Sequence, residues 1–277
     1  MAIALAVFAA LLIGSADFFG GIAARRGHVN AVALWSQLLG MFAVLAAALV
    51  VAGDPRGQDL LWGAAAGVGS GLGVLFLYIG FTLSRVSVVA TVAAVTAASI
   101  PVTAAIVGGE RPNATTWVGL VLGIAAIGLV SYLPGSGNNA GARIGLLYGL
   151  ASGLAFGFMV IAYDAAGDGA GLWPVVPARI SAGVLLTVLA FGLSRPLLPI
   201  RATWPVVIAS GTLAALGLAA FLAATQRAEL AAIAVIVGLF PAVTVVLAAL
   251  FLNERLRPSQ IGGVIAALVA ISLIAAG

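Results

Sequence analysis

Ten apolar stretches, each about twenty residues long, follow one another along the chain with only short polar breaks between them. A bilayer-crossing helix takes about 20 apolar residues, and in lipid every backbone amide must be paired internally. The alternation of apolar and polar residues that marks a transmembrane barrel is absent. The sequence therefore predicts an all-α integral membrane protein with ten transmembrane helices, near residues 2–23, 30–52, 60–81, 86–108, 114–133, 144–163, 173–193, 204–225, 229–252 and 259–276.

Composition excludes most other classes of protein. Charged residues make up 7% of the 277 residues and hydrophobic residues 63%, whereas a soluble domain is about 25% charged. Such a chain cannot cover a soluble core, which excludes a cytosolic enzyme or a nucleic-acid module. The lack of cysteine excludes thiolate chemistry, and the single histidine, His28, excludes a multi-histidine site. We therefore expect no metal, no cofactor and no nucleic-acid partner, in a multi-pass protein of the cytoplasmic membrane surrounded by lipid.

The sequence also repeats itself at an offset of 142 residues, so that Trp62, for example, aligns with Trp204. The two halves are residues 1–133 and 144–277, joined by a linker at 134–143. Each half holds five predicted helices, and because five is odd the second half must enter the membrane from the opposite side. Inverted repeats of this kind are typical of secondary transporters, whose substrate site lies near the bilayer midplane between the halves.

Each half ends in the same order of features: a proline-bearing helix, a Glu-Arg turn and a glycine-rich closing helix. The prolines are Pro101 and Pro241, predicted in the middle of the fourth and ninth helices. Proline removes a helix hydrogen bond, so each permits a kink that either shapes a cavity or acts as a gate. Glu110 and Glu254 stand at the turns, where a carboxylate caps free amides and favours the positive end of the helix dipole. We therefore expect both glutamates to be structural helix caps.

These features resemble the EamA branch of the drug/metabolite transporter superfamily. Glu254-Arg255-Leu256 with Gln260 and Gly263 is similar to the closing pattern of that family, and Glu110-Arg111-Pro112 with Gly119 is a weaker match. The resemblance implies a ten-helix exporter or exchanger of small metabolites, amino acids or drugs. The motif identifies the scaffold and not the cargo.

Two other classes of membrane protein compete with a transporter. An intramembrane enzyme would need a reactive constellation, and the sequence has no histidine pair, cysteine or paired intramembrane carboxylates. A channel-like protein without active transport is the second alternative, and the inverted repeat argues against it. We therefore expect a secondary transporter that is not an enzyme, with a small-molecule substrate, alternating access and protons as the candidate coupling ion.

Asp17 is the acidic residue that lies well inside a predicted helix. About six residues separate it from the end of the first helix, which places it roughly 9 Å below the membrane surface. A carboxylate at that depth is costly unless it is paired or protonated, and intramembrane acids commonly mark ion or substrate pathways. We expect Asp17 to act in coupling or substrate binding. The structural alternative is an Asp17 satisfied by Gln37, a serine or Arg25.

Three further residues are candidates for the same site. Trp35 and Gln37 are predicted at a depth matching that of Asp17, the alternatives being interfacial anchoring for Trp35 and helix–helix hydrogen bonding for Gln37. Arg179 is predicted near the opposite membrane face, roughly 12 Å from Asp17 in depth within an apolar core of about 30 Å. It would bind a carboxylate or phosphate group, or extend to an aspartate of the adjacent loop.

The orientation in the membrane has two conflicting indications. The loops after odd-numbered helices hold eight arginines and the loops after even-numbered helices hold three. The positive-inside rule then places the odd loops in the cytoplasm and both termini outside. The family resemblance implies both termini inside.

Overall fold

The described residues fold into α-helices joined by short connections. The computed structural model describes residues 1–50, 53–131, 140–225, 227, 233, 236–254 and 256–276. Within these ranges it contains ten α-helices: α1 (Ala2–Arg26), α2 (Val29–Val50), α3 (Gly57–Leu83), α4 (Val86–Val107), α5 (Ala114–Ser131), α6 (Ala140–Asp164), α7 (Val175–Gly192), α8 (Trp204–Thr225), α9 (Phe240–Phe251) and α10 (Pro258–Ala276). Nine of these described helices are long and apolar enough to cross a membrane, and α9 is a shorter apolar helix. The predicted all-α class is confirmed.

The ninth helix differs from its prediction. A turn occupies residues 238–239, and α9 begins at Phe240. Pro241 therefore lies in the first turn of α9, where no intrahelical hydrogen bond is lost. The prediction of a mid-helix Pro241 is wrong, whereas Pro101 does lie inside α4. Most of the predicted start of this helix, like most of the predicted linker 134–143, lies outside the described residues.

Helix packing follows a pseudo-twofold relation between the halves. α1 packs along α8, and α3 packs along α6. The repeat relates each helix to the one five places away, so that α1 corresponds to α6 and α3 to α8. The two pairs are therefore equivalent. The same relation maps three further pairs onto themselves: α2 with α7, α4 with α9, and α5 with α10. Because each half contributes an odd number of helices, the repeat is inverted. α5 and α10 pack mainly on each other, which leaves the other eight helices to form the centre.

Connections after odd-numbered helices meet at one end of the helices. Arg25 Nη2 donates to the Ser84 carbonyl at 3.0 Å, and Ser84 Oγ donates to the Gly141 carbonyl at the start of α6 at 2.8 Å. At the other end, the Asp54 amide donates to the Gly169 carbonyl at 3.0 Å, which joins the connections after α2 and α6. The excess of arginine in the odd connections therefore lies at one face.

Glycines let helices of the two halves approach closely. On α3, a methyl group at Gly67 would overlap the Ala178 carbonyl of α7. On α6, three glycines spaced four apart lie directly against side chains and backbone of α4; they are Gly149, Gly153 and Gly157. Small residues at this spacing allow close packing of helices in a membrane.

Glu254 caps a helix of the opposite half. Its carboxylate accepts hydrogen bonds from the amides of Val86 at 2.8 Å and Ser87 at 3.2 Å, and from the Ser87 hydroxyl at 3.0 Å. Arg25 Nη2 lies 3.6 Å from the same carboxylate. Glu254 is thus a helix cap, but the helix it caps is α4. It does not cap α10, the helix that follows it in sequence.

The matching residue of the first half, Glu110, makes no such contact. Its side chain is exposed and forms no hydrogen bond or ion pair with any residue that the structure describes. Asn113 caps α5 instead: its Oδ1 accepts hydrogen bonds from the amide and the hydroxyl of Thr116 at 3.0 and 3.1 Å. Asparagine directly before a helix is a strong N-cap. Asn113 therefore caps α5 in place of Glu110.

Ten crossings place both termini on one side of the membrane, and reporter fusions test this. Four fusion proteins are made, each carrying either alkaline phosphatase or green fluorescent protein at one of the two termini. We expect the same reporter to be active at both ends. Active phosphatase at both ends would put the arginine-rich face in the cytoplasm, and fluorescence at both ends would put the termini there. Different reporters active at the two ends would contradict the ten-helix topology.

Candidate functional site

The contact between α2 and α7 carries a charged residue at the centre of the protein. Asn30 Nδ2 donates to the Leu186 carbonyl at 3.0 Å, and the Arg179 guanidinium donates to Gln37 Oε1. The two helices are therefore antiparallel, because the earlier residue of α2 meets the later residue of α7.

Gln37 and Arg179 lie on the pseudo-twofold axis. They are 142 residues apart, the same offset that relates the halves, so the relation maps their contact onto itself. The axis of an inverted repeat lies in the membrane plane, and substrate sites of such proteins lie near the midplane. Both side chains are therefore near the midplane. Arg179 is predicted near the membrane face opposite Asp17, and Gln37 is predicted at the depth of Asp17. The contact between Arg179 and Gln37 contradicts this separation.

The connection before α7 accounts for the greater depth of Arg179. The prediction assumes that α7 starts at the membrane surface. A side chain at Gly63 would overlap the Pro174 carbonyl, so the end of this connection lies beside the second turn of α3. Gly63 is about 9 Å along α3 from its first residue. α7 therefore begins well below the surface, and Arg179 lies correspondingly deeper.

Arg179 has a neutral partner. Gln37 is buried, and its Nε2 donates to Ser70 Oγ at 3.3 Å, which turns Oε1 towards the guanidinium. Tyr78 and Tyr163 are in electrostatic range of Arg179. No carboxylate lies within 4 Å of the guanidinium in the described part of the chain. The positively charged Arg179 side chain is therefore held near the midplane by the neutral amide of Gln37. A charge in this position is costly unless water or a ligand compensates it.

Asp17 is half-buried on α1 and farther from the helix end than predicted. α1 continues to Arg26, which puts Asp17 roughly 13 Å from the helix end at 1.5 Å per residue. Its carboxylate forms no hydrogen bond or ion pair with any described residue. Gln37 and Arg25, two of the partners that a purely structural role would use, are bound elsewhere.

Tyr78 of α3 lies in the neighbourhood of both charges. Its hydroxyl lies 3.4 Å from Ser210 Oγ of α8, and Ser210 in turn donates to a carbonyl of α1 at 2.8 Å. The hydroxyl also packs against Gly20 of α1, where a methyl group would overlap it. Asp17 and Arg179 are both close enough for their charges to act on the Tyr78 hydroxyl. We call these side chains the central polar cluster: Asp17, Gln37, Ser70, Tyr78, Arg179 and Ser210.

Trp35 does not belong to the central polar cluster. Its Nε1 donates to the Leu197 carbonyl in the connection after α7 at 3.0 Å. Its ring packs edge-on against Trp204, with 4.9 Å between the ring centroids. Trp35 therefore anchors α2 to this connection, and the expected cluster of Asp17 with Trp35 does not form.

Three members of the cluster, Ser70, Tyr78 and Ser210, are absent from the candidates that the sequence suggests. They carry no charge, and hydroxyl groups are common in apolar helices. Tyr78 gives a weak signal, since a buried tyrosine hydroxyl usually finds a polar partner. Which helix that partner comes from depends on the packing of α1 and α8 against α3.

An inverted repeat of membrane helices with charged and polar side chains at its axis is the architecture of a transporter. The chain belongs to the EamA-like transporter family, whose model matches residues 1–132 and 143–276. It is therefore a multi-pass membrane transporter of the drug/metabolite transporter superfamily. No curated protein matches the sequence. A solved structure titled "Crystal structure of protein" is similar over 98% of this chain and 96% of its own, with 17% identity and a TM-score of 0.62, which supports the fold.

Proposed function

We propose that the protein is a proton-coupled secondary transporter of small metabolites, amino acids or drug-like molecules in the cytoplasmic membrane. It works by alternating access and leaves its substrate chemically unchanged. The central polar cluster is the proposed site where substrate and proton bind. The observation that carries this proposal is Asp17, a carboxylate deep in α1 that has no described protein partner.

The surroundings of Asp17 support a coupling role. A carboxylate in this position needs a proton, water or a cationic ligand to compensate its charge. Tyr78 lies in electrostatic range on one side, and the nearest arginine of α1, Arg25, is held by carbonyls of α3 and by Glu254. The charge of Asp17 is therefore left for a transported proton or for a cationic group of the substrate.

The position of the cluster supports alternating access. Gln37 and Arg179 lie on the axis that relates the halves, and the remaining members come from α1, α3 and α8 around it. A site on this axis is equally far from both faces, so rocking one half against the other would expose it to either side.

Asp17→Asn tests the coupling role because it keeps the shape and most hydrogen bonding while removing the titratable charge. Proteoliposomes are incubated with a mixture of amino acids and nucleosides, with and without a pH gradient. Mass spectrometry then measures which compounds they have taken up. We expect the variant to lose uphill uptake driven by the gradient, while exchange without a gradient persists. Asp54→Asn is the matched control, since Asp54 is exposed in the connection after α2.

Gradient-driven uptake at the wild-type rate by Asp17→Asn would eliminate the coupling role. If Asp17→Asn yields no folded protein, gradient-driven uptake is measured with Asp17→Glu instead. Glutamate retains a titratable group, so we expect Asp17→Glu to keep coupled uptake with an altered pH profile. Unsaturable flux through the wild-type protein would contradict a carrier altogether.

A further inference from the structure

The guanidinium of Arg179 has more donors than the protein uses. Arginine carries five N–H donors in a planar fork, and one bond of this fork, to Gln37, joins it to a described residue. Gln37 is in turn fixed by Ser70, so the amide cannot turn away. No carboxylate of a described residue lies within 4 Å of the guanidinium, and an uncompensated cation near the midplane is costly.

Gly40 of α2 lies against the guanidinium. A methyl group at this buried glycine would be in ordinary van der Waals contact with Arg179 Cζ, at 3.8 Å. The oxygens of a carboxylate or phosphate match the spacing of the guanidinium fork and bind it by two parallel hydrogen bonds. The half-buried guanidinium therefore has the charge and the donors that an anionic group needs.

We infer that Arg179 binds an anionic group of the substrate, a carboxylate or a phosphate ester, and that Gln37 is the positioning residue that holds the fork for it. The inference rests on the proposed function, because it takes the central polar cluster as the substrate site. It narrows the substrate class to small organic molecules that carry such a group. Since Arg179 lies on the repeat axis, the anionic group meets the same contact from either side of the membrane.

A purely structural role for Arg179 makes a different prediction. In that role the contact with Gln37 joins α2 to α7, and strengthening it would only stabilise the protein. Gln37→Glu separates the two roles, because it places a carboxylate of the protein beside Arg179. The new ion pair would strengthen the helix contact and at the same time occupy the fork. Anion binding is then lost although the fold is retained.

The experiment measures thermal unfolding of purified protein with two matched sets of compounds. One set pairs amino acids with their decarboxylated amines, and the other pairs sugar phosphates with the corresponding sugars. We expect stabilisation by the anionic members of one set and not by their neutral or cationic counterparts. The set that responds identifies the group as carboxylate or phosphate. Arg179→Gln should weaken the apparent affinity by roughly 10- to 100-fold, the range of a charged hydrogen bond.

Arg195→Gln, at an exposed arginine after α7, is the control and should keep the response. Gln37→Glu should abolish the response while raising the unfolding midpoint without ligand. If Arg179→Gln does not fold, Arg179→Lys is used, which keeps the charge but not the fork and should weaken the response. Equal stabilisation by compounds without an anionic group, no stabilisation by either set, or a full response in Gln37→Glu would overturn the inference. Because this binding needs no pH gradient, its failure is distinguishable from a failure of coupling at Asp17.

Discussion

Gly67→Val should strongly destabilise the protein. Gly67 faces the Ala178 carbonyl and the Ser181 hydroxyl of α7, and even one added methyl group would overlap both. The carbonyl belongs to a helix backbone and cannot rotate away, and Ser181 Oγ is also held to the Ala64 carbonyl at 2.7 Å. α3 and α7 would have to separate. We expect a cost of about 3 kcal/mol or more, the upper range for overpacking, from a total stability of roughly 5–15 kcal/mol.

Gly128→Val is the matched control for this substitution. Gly128 also lies inside a membrane helix, α5, but it is exposed and a methyl group there would meet nothing within 4 Å. We expect the control to be expressed and to unfold at the wild-type temperature. The measurement is size-exclusion chromatography followed by thermal unfolding in detergent. A monodisperse Gly67→Val protein with the wild-type midpoint would show that the close approach of α3 and α7 is not needed.

Glu254→Ala should lower the free energy of unfolding by about 2 kcal/mol, the range for removing a charged helix cap and its hydrogen bonds. Alanine removes the acceptor for two amides and one hydroxyl at the start of α4, as well as the carboxylate beside Arg25. Glu254 is 9% exposed and Arg25 is 28% exposed, so water replaces the lost contacts only in part. The loss falls on the junction between the two halves, because Glu254 belongs to the second half and α4 to the first.

Glu110→Ala provides an unusually close comparison, since both glutamates precede an arginine in equivalent turns of the sequence. The Glu110 side chain is exposed and bonds to no residue in the described ranges. We expect this variant to unfold within about 0.5 kcal/mol of the wild type, as surface substitutions usually do. Chemical unfolding in mixed micelles gives both values. Equal destabilisation by the two alanines would contradict the difference between the two turns.

Most of the fold is predictable from the sequence because each helix carries its own signal. An apolar stretch of sufficient length must be helical in lipid, so the helices appear close to their predicted places. The exception is the ninth helix, where the turn at residues 238–239 leaves Pro241 at a helix start. Proline is compatible with a kink and with a helix start alike, so the residue type alone does not distinguish the two.

The candidate site is less predictable, because it depends on contacts between distant segments. Asp17 is identifiable alone, since a carboxylate inside an apolar stretch is conspicuous. The depth of Arg179 is not, because it depends on how far the connection before α7 descends along α3. The helix that Glu254 caps, and the packing of Tyr78 against α1, likewise follow from contacts between elements that no local pattern describes.

The pair of Gln37 and Arg179 also bears on how such a chain can arise from duplicated halves. If two identical halves assembled as a dimer, each residue on the axis would face its own copy. Two arginines would repel each other, and two glutamines would provide no charge. A single cation on the axis is available only when the halves are joined in one polypeptide and the two copies of that position diverge. Fusion therefore gives this protein a charge that a symmetric dimer of half-length chains could not place there.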